Sequence, residues 1–599
     1  MRLPSHFFLF LTLAPLLFDH MPASAAPPNV SVDQDSGRFR LLRDGEPYFV
    51  KGAGGNGSPE LLAAAGGNSI RTWGDEKLAG ELATAQKFGL TITAGIWLGQ
   101  VRQGFNWNDT RSLARQTEHV RATVEKYKDS PALLIWSLGN EMEDPAGKNV
   151  AVWTGINDLA KMVKQIDPHH PTMTVIAEIG GEKVANIHRY CPDIDIIGIN
   201  SYGGAASLGD RYKKAGGTKP YLVTEFGPAG IWEIGKNPIG SYVEPTSTEK
   251  AAIYRRAYQG AIAAHPELCL GSYVFLWGQK QEATSTWFSL FLADHTRLGI
   301  VDTMQELWSG KAPANRCPTI ASLKLEGPDR LEPGASVKVS LEAADPDNDP
   351  LTVTWELQGD PEQYRLGGDR EDAPPTFPEA IVRGDLHGAE LRMPNTGGLY
   401  RIFATVRDNH GGGAVANIPV RVNGASQAAP GKKVPLPFVV YDEAQRSPSY
   451  FPSGWMGDSK SIKADPACAD NPHSGKTCLR FDFTAPKGWG GIVWQNPDSD
   501  WGDRAGGYDL TGAKKLTFWA RGEKGDEVVS FKFGIISRNK RFCDTGSGKL
   551  ENVKLTPEWR EYSIDVTGHD LTRIKTGFSW SLSSPGQPVT FYLDDIRWE

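Results

Sequence analysis

Between residues 48 and 278 the chain repeats one hydropathy pattern: a short run of β-branched and aromatic residues, a polar break, then a longer stretch with apolar residues spaced at three and four. The runs "YFVKGAG" (48–54), "SIRTWG" (69–74), "TITAGIW" (91–97), "LLIWSLGNE" (133–141), "TMTVIAE" (172–178), "DIIGINSY" (195–202), "YLVTEFG" (221–227) and "GSYVFLWG" (271–278) predict eight strands. Helical spacing in "EKLAGELATAQKFG" (76–89), "LARQTEHVRATVEKYK" (113–128), "AVWTGINDLAKMVKQID" (151–167) and "STEKAAIYRRAYQGAIAA" (247–264) predicts helices between them. Such alternation is the mark of repeated βαβ units, and eight units within residues 38–310 predict a closed (β/α)8 TIM barrel. The alternative is a doubly wound open sheet, but no G-x-G-x-x-G follows the first strand, which removes support for a dinucleotide site.

After the Pro/Gly-containing segment 309–318 the period changes. Residues 319–423 show two-residue alternation broken by Asp, Asn, Gly and Pro, which predicts a small Ig-like β-sandwich. Its "ADPDNDPLTVTW" and "ATVRDNHGG" runs resemble PKD and cadherin-like modules. Asp345, Asp347 and Asp349 offer the clustered oxygens that calcium prefers, against the plainer reading of a solvated acidic turn. Residues 424–436 read as a linker, and 437–599 as a jelly-roll sandwich. The "LTFWARGEKGDE" and "FYLDDIRW" runs resemble galactose-binding-like carbohydrate-binding modules, which implies an aromatic ligand face and a structural calcium in the C-terminal part. Trp489, Trp494 and Trp501 are its candidate platforms; buried core is the competing role for each.

The first residues carry Arg2, an apolar run from Phe7 to Phe18 and then "PASAA", the pattern of an export signal cleaved after Ala25. That run is too short to span a bilayer, and no later stretch is long and apolar enough. The expectation is a secreted or periplasmic protein without a membrane span. With 599 residues, several domains are expected. A net charge of −7 gives no footprint for nucleic acid or an anionic membrane. Among six cysteines, Cys468 and Cys478 are spaced to bridge one loop, whereas pairings among Cys191, Cys269, Cys317 and Cys543 stay open.

In a barrel, chemistry gathers where the strands end at the C-terminal face. Strand 4 ends in Asn140 and Glu141, strand 7 in Glu225, strand 2 presents Arg71, and strand 6 presents Asn200 and Tyr202. Strands 4 and 7 lie nearly opposite in an eight-strand ring, so Glu141 and Glu225 face each other across the mouth. Glycosidic cleavage needs that arrangement: one carboxylic acid to protonate the leaving oxygen and one carboxylate to attack or to activate water. Arg71 and the Tyr202 hydroxyl would stabilise Glu225 as an anion, and that anion would raise the pKa of Glu141.

The runs "WSLGNE", "INSY" and "LVTEFG", with "IRTWG" and "FLWG", resemble the clan A glycoside hydrolases, most closely the TIM-barrel domain of glycoside hydrolase family 2. The resemblance implies a retaining double displacement with Glu141 as acid/base and Glu225 as nucleophile. It further implies that Asn140 bonds the sugar 2-hydroxyl, that Arg71 and Tyr202 hold the nucleophile, and that Trp277 floors the cleavage subsite. The β-sandwiches that precede the barrel in family 2 enzymes have no counterpart here, so their galactosidase, mannosidase or glucuronidase specificities do not transfer.

Trp73, Trp97, Trp232 and Trp287 fall at or after strand ends and are candidate sugar platforms; Glu178 is a candidate substrate contact, and Glu143 and Asp144 read as loop acids. His188 and His295 lack companions at ligand spacing, so no catalytic metal or other cofactor is expected in the barrel. The expected partner is a β-linked polysaccharide or oligosaccharide, with β-glucan preferred, cleaved by a hydrolase whose distal module tethers it to its substrate. A transglycosylase would use the same residues, and a non-catalytic glycan-binding protein is the reading from another class.

Overall fold

The computed structural model describes residues 27–599 except 104, 361–363, 365–367, 369–370, 372, 425–430, 444–447, 538–539 and 541. The export signal and residues 425–430 of the linker lie outside the described residues.

Three short antiparallel strands come first: β1 (Val30–Asp35), β2 (Arg38–Arg43) and β3 (Glu46–Pro47). Eight parallel strands then close into a barrel: β4 (Val50–Gly54), β5 (Ser69–Arg71), β6 (Thr91–Ile96), β7 (Leu133–Asn140), β8 (Thr172–Ala177), β9 (Ile196–Asn200), β10 (Tyr221–Glu225) and β11 (Cys269–Phe275). The helices between and after them are α1 (Pro59–Ala64), α2 (Leu78–Lys87), α3 (Thr110–Tyr127), α4 (Val150–Ile166), α5 (Lys183–Tyr190), α6 (Leu208–Lys214), α7 (Ser247–Tyr258) and α8 (Gly299–Ser309). The eight expected strands are all present in the expected order.

Local chemistry explains where these elements begin. Asp109 and Asn149 cap α3 and α4 by accepting N–H bonds from Ser112 and Ala151, and Thr246 with Glu249 forms a reciprocal capping box on α7. The strands β6 and β10 are buried along their whole length, because helices cover one face and the barrel interior the other. On α4, Trp153, Ile156, Leu159, Ala160 and Val163 make one buried stripe against the strands. Each large apolar side chain there stabilises the packing by about 1.5–3 kcal/mol.

The small sheet β1–β3 lies across the N-terminal end of the barrel. The Val30 N–H donates to the His169 carbonyl and Phe39 N–H to that of Glu267, both just before barrel strands begin. Val30 and Leu41 fill the floor together with Val50, Leu134, Met173 and Leu222.

The next region is a two-sheet sandwich. One sheet orders Thr319–Glu326, Ser336–Ala344, Gly388–Arg392 and Ile381–Asp385; the other orders Gly412–Val422, Gly398–Arg407 and Thr352–Gly359. The second sheet continues into the barrel, since Arg297–Leu298, just ahead of α8, pairs in parallel with Gly412 and Gly413. Phe403 and Val415 of the sandwich belong to the barrel's own core. Asp347 pairs with Arg316 at 2.7 Å and Asp345 accepts the N–H groups of Asp347 and Asp349, the behaviour of an acidic turn.

The C-terminal sandwich packs a six-stranded and a five-stranded antiparallel sheet around Phe481, Trp494, Phe518, Phe531, Trp580 and Trp598. Trp494 is therefore core rather than a platform, while Trp489 and Trp501, together with Trp455, present their rings to solvent. Cys468 and Cys478 lie directly opposite in register on neighbouring strands, both as free thiols. Among the described residues no three His, Cys, Asp or Glu side chains converge as a metal site, and no helix is long and apolar enough to cross a membrane.

Candidate active site

Four strand ends supply the site at one level of the barrel, with Glu225 level with Asn200 and Ala177 level with Asn200 on the other side. The turn that delivers Glu141 is a bulge: the register between β7 and β8 shifts between Ser137 and Asn140. Gly139 makes that turn at φ +75°, and a Cβ there would lie 2.0 Å from the Met142 sulfur. Glu141 itself sits at φ +53°, a conformation non-glycine residues rarely adopt. Its N–H still reaches the Val175 carbonyl at 2.9 Å, so the strained residue stays tied to β8.

Three donors converge on Glu225. Arg71 Nη1 and Trp73 Nε1 each donate to Oε1 at 2.7 Å, and the Tyr202 hydroxyl donates to Oε2 at 2.5 Å. Arg71 is fully buried, and its other bonds run to the Thr224 carbonyl at 3.1 Å and Asn140 Oδ1 at 2.6 Å. Burial and the facing Glu225 hold the Tyr202 phenol far above its ordinary pKa, so it remains a donor.

Across the mouth, Asn200 Nδ2 donates to Glu141 Oε1 at 2.7 Å and to Asn140 Oδ1 at 3.2 Å. The Thr224 hydroxyl donates to Asn200 Oδ1 at 2.8 Å and so fixes which way that amide faces. Gln100 Nε2 holds the Asn140 carbonyl at 2.7 Å. Burial first, and the Glu225 charge second, raise the Glu141 pKa to about 7 against the opposing Asn200 bond. The two carboxyl groups thus share one network, Glu141–Asn200–Asn140–Arg71–Glu225, yet only Glu225 has a cation on it. Chemically, the arrangement sets a proton donor opposite an anion braced by three donors.

Several sequence-based expectations change. Trp277 does not floor the mouth: it is 2% exposed, its indole donates to the Ser58 carbonyl at 3.0 Å, and its ring packs on Phe291 and Trp308 of α8. The chain turns after β11, which carries Trp277 behind the barrel wall and leaves Phe275 as the strand-end aromatic touching Trp73 and Tyr202. Trp73 braces Glu225 through its N–H, with Arg71 over its ring at 5.0 Å, instead of offering a free sugar platform. Trp287 is completely buried, bonded to the Ala229 carbonyl. Of the four candidate tryptophans, Trp97, 37% exposed, and Trp232, 46% exposed, present open faces at the strand ends.

Glu178 is taken up by Arg211, whose two Nη groups donate at 2.9 and 3.1 Å, and by the Ser201 hydroxyl at 2.6 Å. Burial pushes its pKa up, but these bonds outweigh that and lower it. Asp144 accepts the Ala146 and Asn149 N–H groups in the loop before α4. Glu143 lies in the same loop but is not solvated: it is buried, accepts the Ala177 N–H at 2.9 Å, and pairs with the equally buried Lys183 at 3.0 Å. Burial raises its pKa against the Lys183 ammonium. Replacing Lys183 with methionine should leave that carboxyl unpaired under the Glu141 turn and cost about 3–5 kcal/mol, read as a lower denaturation midpoint. An unchanged midpoint would remove the pair from the account.

Of the residues the sequence left unassigned, Gln100, Thr224 and Phe275 have site roles. Thr224 carried the nearest thing to a signal, lying next to Glu225 on a strand that ends at the mouth.

Residues 75–262 match the model of the family described as "Glycosyl hydrolases family 2, TIM barrel domain". Mannan endo-1,4-beta-mannosidase 8 of Oryza sativa subsp. japonica is 36% identical over 87 residues, 14% of this chain and 21% of that protein. The solved structure of the Ruminococcus gnavus beta-glucuronidase aligns with a TM-score of 0.38 at 16% identity, covering 48% of this chain and 53% of that one. Bacteroides uniformis beta-glucuronidase 2 aligns with a TM-score of 0.38 at 13% identity, covering 95% and 67%. The chain spans about half the length of the Ruminococcus protein and about a fifth of the mannosidase.

Proposed function

From a barrel that carries the family 2 glycosyl hydrolase TIM-barrel domain, we propose that the chain is an exported retaining hydrolase of a β-linked glycan. The observation that carries this reading is the asymmetry of the two carboxyl groups, one protonated up to about pH 7 and the other held by Arg71, Trp73 and Tyr202. Glu225 attacks the anomeric carbon while the bond to the leaving oxygen breaks and the Glu141 proton moves onto that oxygen. The result is a glycosyl ester on Glu225 and an ionised Glu141. Glu141 then takes a proton from water, the water oxygen attacks the same carbon, and the ester bond breaks to return the Glu225 carboxylate. Asn140 turns its Oδ1 toward Arg71 and Asn200, which leaves its amide N–H2 to meet the sugar 2-hydroxyl. No cofactor enters these steps.

Exposed Trp97 and Trp232 flank the mouth from opposite sides of the ring, a layout suited to stacking sugars on either side of the cut. Trp97→Ala should raise KM about tenfold with kcat nearly unchanged, as expected when binding common to ground and transition states is lost. A matched fall in kcat would instead give Trp97 a role in chemistry. In the C-terminal sandwich, Trp455, Trp489 and Trp501 support a second glycan contact that tethers the enzyme. β-Glucan is the preferred substrate and mannan the first comparison.

The deciding experiment incubates the purified protein with defined β-glucans, mannans and galactans, sizes the products, and follows the first-formed anomer by NMR. Retention of configuration supports the mechanism, and inversion removes it. Products longer than the substrate would assign the second step to a sugar acceptor instead of water.

A further inference from the structure

Two loops wall the mouth on the Glu225 side: residues 226–246 after β10 and residues 276–296 after β11. Trp232 from the first and Phe288 from the second pack on the Tyr202 ring, at 5.5 and 5.2 Å between centroids. Phe275, Leu276, Ala283 and Ile231 complete that apolar wall.

The anchor of this wall lies in the first sandwich. Arg401, on the strand Gly398–Arg407, is buried and points into the first loop, where Nη2 donates to Ser241 Oγ and to the Tyr242 carbonyl, both at 2.9 Å. It is neutralised by Asp360 of its own sandwich, with Nη2 to Oδ2 at 3.0 Å, and Nη1 donates to Asn417 Oδ1 at 2.7 Å. Asn417 in turn donates to Glu244 Oε2 at 2.7 Å. Glu244 also pairs with Lys250 and accepts the hydroxyls of Thr284, at 2.6 Å, and Thr286, at 2.8 Å, which belong to the second loop. One largely buried polar network therefore runs from the sandwich through both loops. In low dielectric such a network holds its geometry tightly, because any member that moves leaves a buried charge unpaired. The backbone reinforces it: the Val415 N–H donates to the Ser247 hydroxyl at 2.9 Å, and Tyr364 of the sandwich packs on Tyr242 at 5.1 Å.

We propose that the first sandwich is a working part of the catalytic centre, with Arg401 as the positioning residue that holds both loops against Tyr202 and, through Tyr202, the Glu225 carboxylate. The kinetic side of this proposal rests on the glycoside-hydrolase reading; the mechanical side does not. The test uses the full chain as Arg401→Met and as the milder Asn417→Ala, with Lys575→Met as control. The control breaks a comparable buried pair, Lys575–Asp500, in the C-terminal sandwich.

Hydrogen exchange should speed up in residues 228–246 and 279–290 of both test variants but not in the control. On the β-glycan the parent cleaves, kcat should fall at least tenfold in Arg401→Met, with KM rising as the loop that carries Trp232 loosens, and the control should match the parent. Unchanged exchange in the two loops of a folded variant overturns the proposal whatever the activity. Faster exchange with kcat intact overturns the catalytic role. If Arg401→Met fails to fold, Asn417→Ala decides by the same readings. A parent that cleaves no β-glycan sinks the glycoside-hydrolase reading, and the exchange result alone then decides whether the sandwich holds the loops.

Discussion

Glu225→Ala is expected to lose kcat by roughly 10⁴-fold or more, the scale on which deleting a covalent nucleophile is felt. The reason lies in how Glu225 is held. Arg71, Trp73 and Tyr202 are each fixed by other contacts and converge on this one group. Arg71 keeps its bonds to Asn140 and the Thr224 carbonyl when the carboxylate goes, and the barrel should survive. Glu225→Gln tests the same chemistry with the volume kept and should be as inactive. A small anion such as azide should enter the hole in the alanine variant, attack the anomeric carbon from that side and give a glycosyl azide of inverted configuration. Retention of more than a tenth of the parent activity by either variant would remove Glu225 from the mechanism.

Glu141→Gln is the second large effect and its signature is in the pH profile. In the proposed mechanism the parent needs the protonated form, which burial and Glu225 preserve to about pH 7, so kcat/KM should fall about tenfold per pH unit above that point. In the glutamine variant that limb should vanish. For a sugar leaving group the remaining rate should be about 10²–10⁴-fold lower, whereas an aryl group that leaves without a proton should lose far less in the first step. Stability moves too. Because the folded pKa, about 7, lies above the ordinary glutamate value of 4.5, the fold binds more protons than the unfolded chain between those values, and stability from this group falls as pH rises through that window. The variant has no such loss and should outlast the parent in denaturant above pH 7. An alkaline limb that persists in Glu141→Gln would assign the titration to another group.

Much of this site was legible in the sequence because barrels deliver chemistry at strand ends, and strand ends can be located from hydropathy alone. Arg71, Asn140, Glu141, Asn200, Tyr202 and Glu225 were found that way and share one hydrogen-bonded network. The misassigned residues mark where a one-dimensional pattern stops. Trp73 stands two positions after Arg71, just past the end of β5, and nothing local says that its N–H, not its ring face, is used. Trp277 stands two positions after Phe275 in the same way, yet the chain turns between them and carries it behind the barrel wall. The Glu143–Lys183 pair joins residues that no motif links. The alternation in residues 319–423 tells which side chains of each strand face inward. It is silent about which sheet edge runs on into the barrel, so the Arg401 network had no sequence signal at all.

The small sheet across the barrel floor has a consequence for how the molecule meets a surface. Val30 is anchored beside His169, on the end of the barrel away from Glu141 and Glu225. The chain at Asn29 and Val30 therefore lies at the rear of the molecule. Immobilising the protein through this face would present the strand-end opening, where Glu141 and Glu225 lie, outward toward an insoluble polymer.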